Sequence, residues 1–227
     1  MKNEMWLIWK ESKSRKRFVI GTLTKNEKKF IFKYINPELN EAKKAGFEYF
    51  PGFEEINKIY ESQDLFANIK TRLPNPARPD YLEILNFYNL DKDSSDFDIL
   101  KETKGRLLTD NYEFVPAFDK NKINFEVAGT RHYHDIQKCK KELSVNSKLY
   151  LEIDEKNEHD KYAIKVIYKS NNKNYLLGYV PRYYSKQLCE LLKDNIKYSA
   201  RIQSVNFESK ISDENISTSV KLIFDVK

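Results

Sequence analysis

The sequence predicts an α+β protein of two domains. Residues 1–119 read as a small β-meander or barrel with helices, and residues 120–227 as a small β-barrel with one main helix. Two patterns carry this reading: the first part mixes short aromatic and β-branched runs with helical apolar stripes, whereas the second is mostly short alternating strands. The charge divides at the same place. Residues 1–119 hold 20 basic and 20 acidic side chains, and residues 120–227 hold 20 and 14, so the whole net charge of +6 lies in the second part.

In the first part, Trp6–Glu11, Lys16–Thr24 and Lys28–Tyr34 read as a meander broken by Ser12-Lys13-Ser14 and Lys25-Asn26-Glu27. Pro51-Gly52 signals a turn. Phe53, Ile56, Ile59 and Tyr60 then recur at helical spacing, as do Leu65, Phe66, Ile69 and Leu73, so a helix is expected over each. Pro74, Pro76 and Pro79 end the second of these, because proline lacks the amide donor and clashes with the preceding turn. Asp80 is placed to cap a third helix through Leu82, Leu85 and Tyr88. Residues 91–121 show no clear period, with an acidic run at Asp91–Asp98 and an expected linker near Pro116–Asn121.

In the second part, Ile123–Thr130, Lys148–Asp154, Tyr162–Lys169 and Asn174–Val180 are strand candidates, and Leu149, Leu151 and Ile153 share one face. Tyr183–Asp194 reads as an amphipathic helix with Tyr184, Leu188, Leu191 and Leu192 on one side. Strands near Ile196–Phe207 and Ser217–Val226 follow, the latter placing Val220, Leu222, Phe224 and Val226 together. Many short strands around a single helix suggest a small barrel.

Composition excludes several classes. No stretch approaches the roughly 20 apolar residues of a membrane helix. The run Trp6-Leu7-Ile8-Trp9 is too short for a signal-peptide core. Two cysteines, Cys139 and Cys189, cannot build a disulfide framework, and a reducing cytoplasm is the expected location. Of the 40 basic residues 32 are lysine and 8 arginine, so much of the charge fits generic surface and only its location hints at a polyanionic partner.

Three segments of the second domain follow one another: Val127-Ala128-Gly129-Thr130-Arg131-His132-Tyr133, Asn157-Glu158-His159-Asp160-Lys161-Tyr162-Ala163-Ile164-Lys165-Val166, and Leu177-Gly178-Tyr179-Val180-Pro181-Arg182. In this order and spacing, over about residues 122–205, the chain resembles the HIRAN family. The resemblance implies a small β-barrel that binds single-stranded DNA, with a pocket suited to a free 3′ end. Such domains occur fused to DNA-repair remodelling ATPases and as small bacterial proteins. No Gly-x-x-x-x-Gly-Lys-Ser/Thr phosphate loop is present, so a binding module without a motor is expected.

The residue chemistry fits a strand end. Arg131 and Arg182 carry planar forks that grip phosphate bidentately. His132, Tyr133 and His159 offer flat faces for bases, and Tyr179 lines the same pocket by family position. Asp160 stands apart, because a carboxylate repels phosphate. It can accept a hydrogen bond from a terminal 3′-hydroxyl, which an internal phosphodiester lacks. Each residue also has a structural reading: Asp160 as a turn cap, Gly129 as a bulge or strand end, Tyr133 and Tyr179 as core. His132, His134, His159 and Asp160 include metal-ligand types, and His-x-His is a known ligand spacing. No Cys-x-x-Cys accompanies them and the family implies no metal, so no cofactor is expected. No matched catalytic pair is visible either, and the protein is read as non-enzymatic.

The first domain carries a second resemblance. Phe18-Val19-Ile20-Gly21-Thr22-Leu23, Phe30-Ile31-Phe32-Lys33-Tyr34, Leu65–Pro74, Asp98-Ile99-Leu100 and Thr103-Lys104-Gly105-Arg106 are similar to the N-terminal subdomain of HipA-type toxin kinases, over about residues 16–106. Lys104 replaces a family glycine and the kinase core is absent. This resemblance implies an accessory domain and an alternative function. The chain would then be an antitoxin-like regulatory subunit that binds a HipA-like kinase through residues 1–119, anchored on DNA by its second domain.

Overall fold

The computed structural model describes residues 3–133, 135–206 and 219–226, and the chain divides into two units, residues 1–117 and 118–227. In the first unit β1 (Glu4–Lys10), β2 (Arg17–Lys25), β3 (Phe30–Tyr34), β4 (Tyr60–Ser62) and β5 (Tyr112–Pro116) form an antiparallel sheet in the order β4-β3-β2-β1-β5. Alternation along β1 and β2 sends Met5, Leu7, Phe18 and Ile20 into one core, where Phe32, Phe50, Phe53 and Phe114 join them. Ile8, on the opposite face beside Val19, is buried as well, and the β1–β2 register shifts between Leu7 and Ile8.

Four short helices accompany this sheet: α1 (Glu38–Lys44), α2 (Ala67–Lys70), α3 (Tyr81–Phe87) and α4 (Asp96–Thr103). The helix expected over Phe53–Tyr60 is absent; that segment is loop leading into β4. Its aromatics serve the core from irregular backbone: Phe53 stacks on Phe32 at 4.1 Å, and the Tyr34 hydroxyl donates to the Phe53 carbonyl at 2.7 Å. Tertiary packing here overrides a helical spacing. The expected helix over Leu65–Leu73 shrinks to the single turn α2. Asp80 precedes α3 without a side-chain capping bond, because its carboxylate takes the Arg78 guanidinium at 2.9 Å instead. Helix α4, capped by Ser95, and strand β5 both lie in the stretch to which the sequence assigned no period.

The second unit contains β6 (Lys122–Glu126), a 3₁₀ turn (Thr130–His132), α5 (Asp135–Cys139), β7 (Lys148–Ile153), β8 (Ile164–Ser170), β9 (Lys173–Tyr179), α6 (Arg182–Lys193), β10 (Tyr198–Asn206) and β11 (Ser219–Val226). The strand order is β6-β11-β10-β7-β8-β9. The two edges of this sheet meet: just past β6, Ala128 pairs with Tyr179 of β9 through two backbone hydrogen bonds of 2.8 and 2.9 Å. That bridge joins the two ends of the curled sheet at one point, giving a half-barrel. Ile123, Leu149, Ile164, Val166, Leu177, Leu188, Ile202 and Phe224 are buried in this unit.

Two expectations need correction here. The strand expected over Ile123–Thr130 ends at Glu126, where the chain breaks to make the bridge and then turns. Besides the main helix α6, a short α5 packs near β9, and its Asp135 carboxylate accepts the Leu176 amide at 3.3 Å. Phe207, Ser217 and Thr218 lie outside the described residues, as do the side chains of Val220 and Leu222, while Phe224 is fully buried. Among the described residues no helix is long and apolar enough to cross a membrane.

Candidate nucleic-acid interface

The Ala128–Tyr179 bridge is where the three sequence segments converge. Gly178 makes the approach possible: it sits at φ +149, and a Cβ there would stand 2.3 Å from the Ala128 carbonyl oxygen. Gly129, at φ +82, then turns the chain into the 3₁₀ turn that carries Thr130, Arg131 and His132. The third segment is tied in by the Val180 amide, which donates to the Ile164 carbonyl at 3.0 Å.

Around this seam the side chains form two polar clusters. In the first, the Tyr133 and Tyr179 rings lie 5.7 Å apart at 45°. The Tyr179 hydroxyl donates to Asp154 Oδ2 at 2.8 Å. Asp154 also accepts from Asn157 Nδ2 at 3.3 Å and pairs with Lys165 Nζ at 3.1 Å. The Tyr179 bond, with Lys165 and Asn157, holds the Asp154 carboxyl below its usual range. Burial, then the bond to Asp154, pushes Tyr179 up to about 12, so its hydroxyl stays a neutral donor.

The second cluster centres on Asp160. Asn157 Oδ1 accepts the His159 and Asp160 amides, each at 3.0 Å, which folds the loop as an Asx turn. Asp160 Oδ1 then accepts the Tyr162 amide at 3.0 Å, and Oδ2 lies 2.7 Å from Ser185 Oγ in the first turn of α6. The same Oγ lies 2.9 Å from the Arg182 carbonyl, so its single proton serves one acceptor at a time. Arg182 Nη1 donates to the His159 carbonyl at 3.2 Å, locking loop to helix.

Of the residues the sequence singles out, Tyr133 and Tyr179 are therefore half-buried partners, and Asp160 is a half-buried turn cap. His132, His159 and Arg182 are exposed. The capping reading of Asp160 is real, and it uses two of the about four lone-pair positions of the carboxylate. The Arg131 side chain and the whole of His134 lie outside the described residues. Among the described residues no group of three candidate metal ligands gathers. Sequence reasoning missed Asp154 and Ser185. Asp154 closes an alternating strand and looked like its polar end, and Ser185 looked like a surface position of the helix.

The seam thus brings two tyrosine rings, the Arg182 guanidinium and an oriented carboxylate to one end of the curled sheet. Residues 120–226, nearly the whole of the second unit, match the HIRAN domain family. Solved structures similar to the chain include the HIRAN domain of human HLTF, at 18% identity and TM-score 0.35, covering 47% of this chain and 74% of that one. A Lactobacillus plantarum protein is similar at 19% identity and TM-score 0.36, covering 47% of this chain and 92% of that one. No curated protein matches. The family match begins at residue 120, and nothing in the comparisons supports the HipA-type resemblance of the first unit or a kinase partner for it.

Proposed function

We propose that the second unit binds single-stranded DNA and reads a free 3′ end. The observation that carries this reading is the Ala128–Tyr179 bridge, which gathers the Arg131 turn, the Asn157–Asp160 loop and the Arg182 helix start at one seam. Arg131 and Arg182 take backbone phosphates. His132, Tyr133, His159 and Tyr179 offer base and sugar faces, each stacked base contributing about 1–3 kcal/mol. Asp160, its carboxylate oriented by Tyr162 and Ser185, accepts the terminal 3′-hydroxyl. A phosphate at that position would meet a fixed negative charge.

Equilibrium titration of the full chain with a short single-stranded oligonucleotide bearing a 3′-hydroxyl tests this. Arg131→Ala and Asp160→Ala should each weaken binding about tenfold or more. Undiminished binding by both variants would overturn the assignment of this face.

A further inference from the structure

The first unit is nearly charge-balanced, with 20 basic and 19 acidic residues through position 117, yet its charge is not evenly spread. Glu113 on β5 is 6% exposed and sits on the sheet face shared by Ile8 and Val19. Two arginines reach it, Arg17 Nε at 3.1 Å and Arg106 Nη2 at 2.6 Å, and their side chains remain 38% and 42% exposed. Lys10 pairs directly with Arg17 across β1 and β2, so both side chains leave the same face. Arg15 lies exposed in the hairpin turn at φ +57, and Lys104 acts on Glu113 from the end of α4.

Arg17, Arg106 and Lys104 thus act on one carboxylate, and Lys10 and Arg15 lie beside them. Glu11 on the same hairpin stays ionised, held so by the Lys13 and Ser14 amides, so the five cations face two carboxylates and remain in excess. The Lys10 ammonium is held below its ordinary range, first by burial and then by repulsion from Arg17 and Arg15. Glu113 opposes that repulsion only in part.

We propose that Lys10, Arg15, Arg17, Lys104 and Arg106 form a second nucleic-acid contact, gripping the phosphodiester backbone through the first unit. Phosphate is favoured over an acidic protein surface because the cluster concentrates three of the chain's eight arginines, whose forks match a tetrahedral oxyanion. The choice of nucleic acid rests on the DNA-binding reading of the second unit. The patch reads backbone charge and so adds affinity without end preference.

The test uses the full chain with Lys10→Gln and Arg15→Asn combined. Neither residue makes an ion pair with Glu113, asparagine tolerates the left-handed backbone at position 15, and loss of Lys10 relieves repulsion, so the melting temperature should hold or rise. Binding to a single-stranded oligonucleotide is followed across a salt series, with 3′-hydroxyl and 3′-phosphate forms. We expect several-fold weaker binding and a log–log salt slope shallower by about 0.7 per lost phosphate contact, with the ratio between the two end forms unchanged. An unchanged slope overturns the patch, as does loss of binding to poly-glutamate in place of any change with the oligonucleotide. If wild-type protein shows no preference between end forms, the end-reading proposal fails while the slope still scores the patch.

Discussion

The backbone of Gly178 lies so close to Ala128 that a methyl group on it would stand 2.3 Å from the Ala128 carbonyl oxygen and 2.8 Å from the Val127 side chain. The contact cannot be relieved by a rotamer change, because the nearest atom is backbone that also takes part in the Ala128–Tyr179 bridge. Gly178→Ala should therefore destabilise the second unit by about 2–4 kcal/mol, combining overlap with positive-φ strain. Chemical denaturation followed by far-ultraviolet circular dichroism measures it. A loss under about 0.5 kcal/mol would mean that the bridge is not held this tightly.

Tyr179 separates two contributions. Tyr179→Phe removes the donor to Asp154 and keeps the ring against Tyr133, so it should cost about 1–2 kcal/mol of stability with little change in DNA affinity. Tyr179→Ala removes the face as well and should weaken DNA binding by about 1–3 kcal/mol. Equal affinities for the two variants would remove Tyr179 from the binding surface.

Ser185 orients Asp160 without carrying charge. Ser185→Ala leaves the Tyr162 amide bond in place and should lower the preference for a 3′-hydroxyl several-fold, with the salt slope unchanged. Asp160→Asn should keep the turn, as the side-chain carbonyl still accepts the amide, while tolerating a 3′-phosphate better than wild type does. Titrations of paired oligonucleotides read both effects.

Glu113 predicts an acid limb. Burial alone would raise its carboxyl, but Arg106, Lys104 and Arg17 outweigh burial and bring it to about 2. A carboxyl whose folded value is depressed contributes stability above its ordinary value near 4.5, and that contribution is lost as pH falls toward 2. Thermal melts between about pH 5 and pH 2 should show a steeper decline for wild type than for Glu113→Gln. Parallel declines would mean that the arginines do not hold this carboxylate charged.

Much of the second unit was readable from sequence, because alternation along Lys148–Ile153 and Ile164–Ser170 is direct evidence of a half-buried strand. Its seam was partly legible because Gly178 sits where a Cβ would meet the Ala128 carbonyl oxygen, and Asn157 and Asp160 have the spacing of an Asx turn. Asp154 and Ser185 were hidden because their partners, Tyr179 and Asp160, are each 25 residues away. In the first unit, Phe53 and Tyr60 mimicked a helix while packing onto Phe32, the one from a loop and the other from the start of β4. β5 was invisible as a strand because Glu113 breaks its apolar run, and the cations that permit its burial come from Arg17 and Arg106 elsewhere in the chain. The balanced charge of this unit concealed their clustering.

The central claim is that the second unit reads a free 3′ end, and a paired titration tests it most directly. Two single-stranded oligonucleotides of identical sequence, one ending in a 3′-hydroxyl and one in a 3′-phosphate, are titrated against the wild-type chain at the same salt concentration. The 3′-hydroxyl form should bind about tenfold or more tightly, and Asp160→Ala should bring the two together. Equal affinity of wild type for both forms would contradict end reading through Asp160.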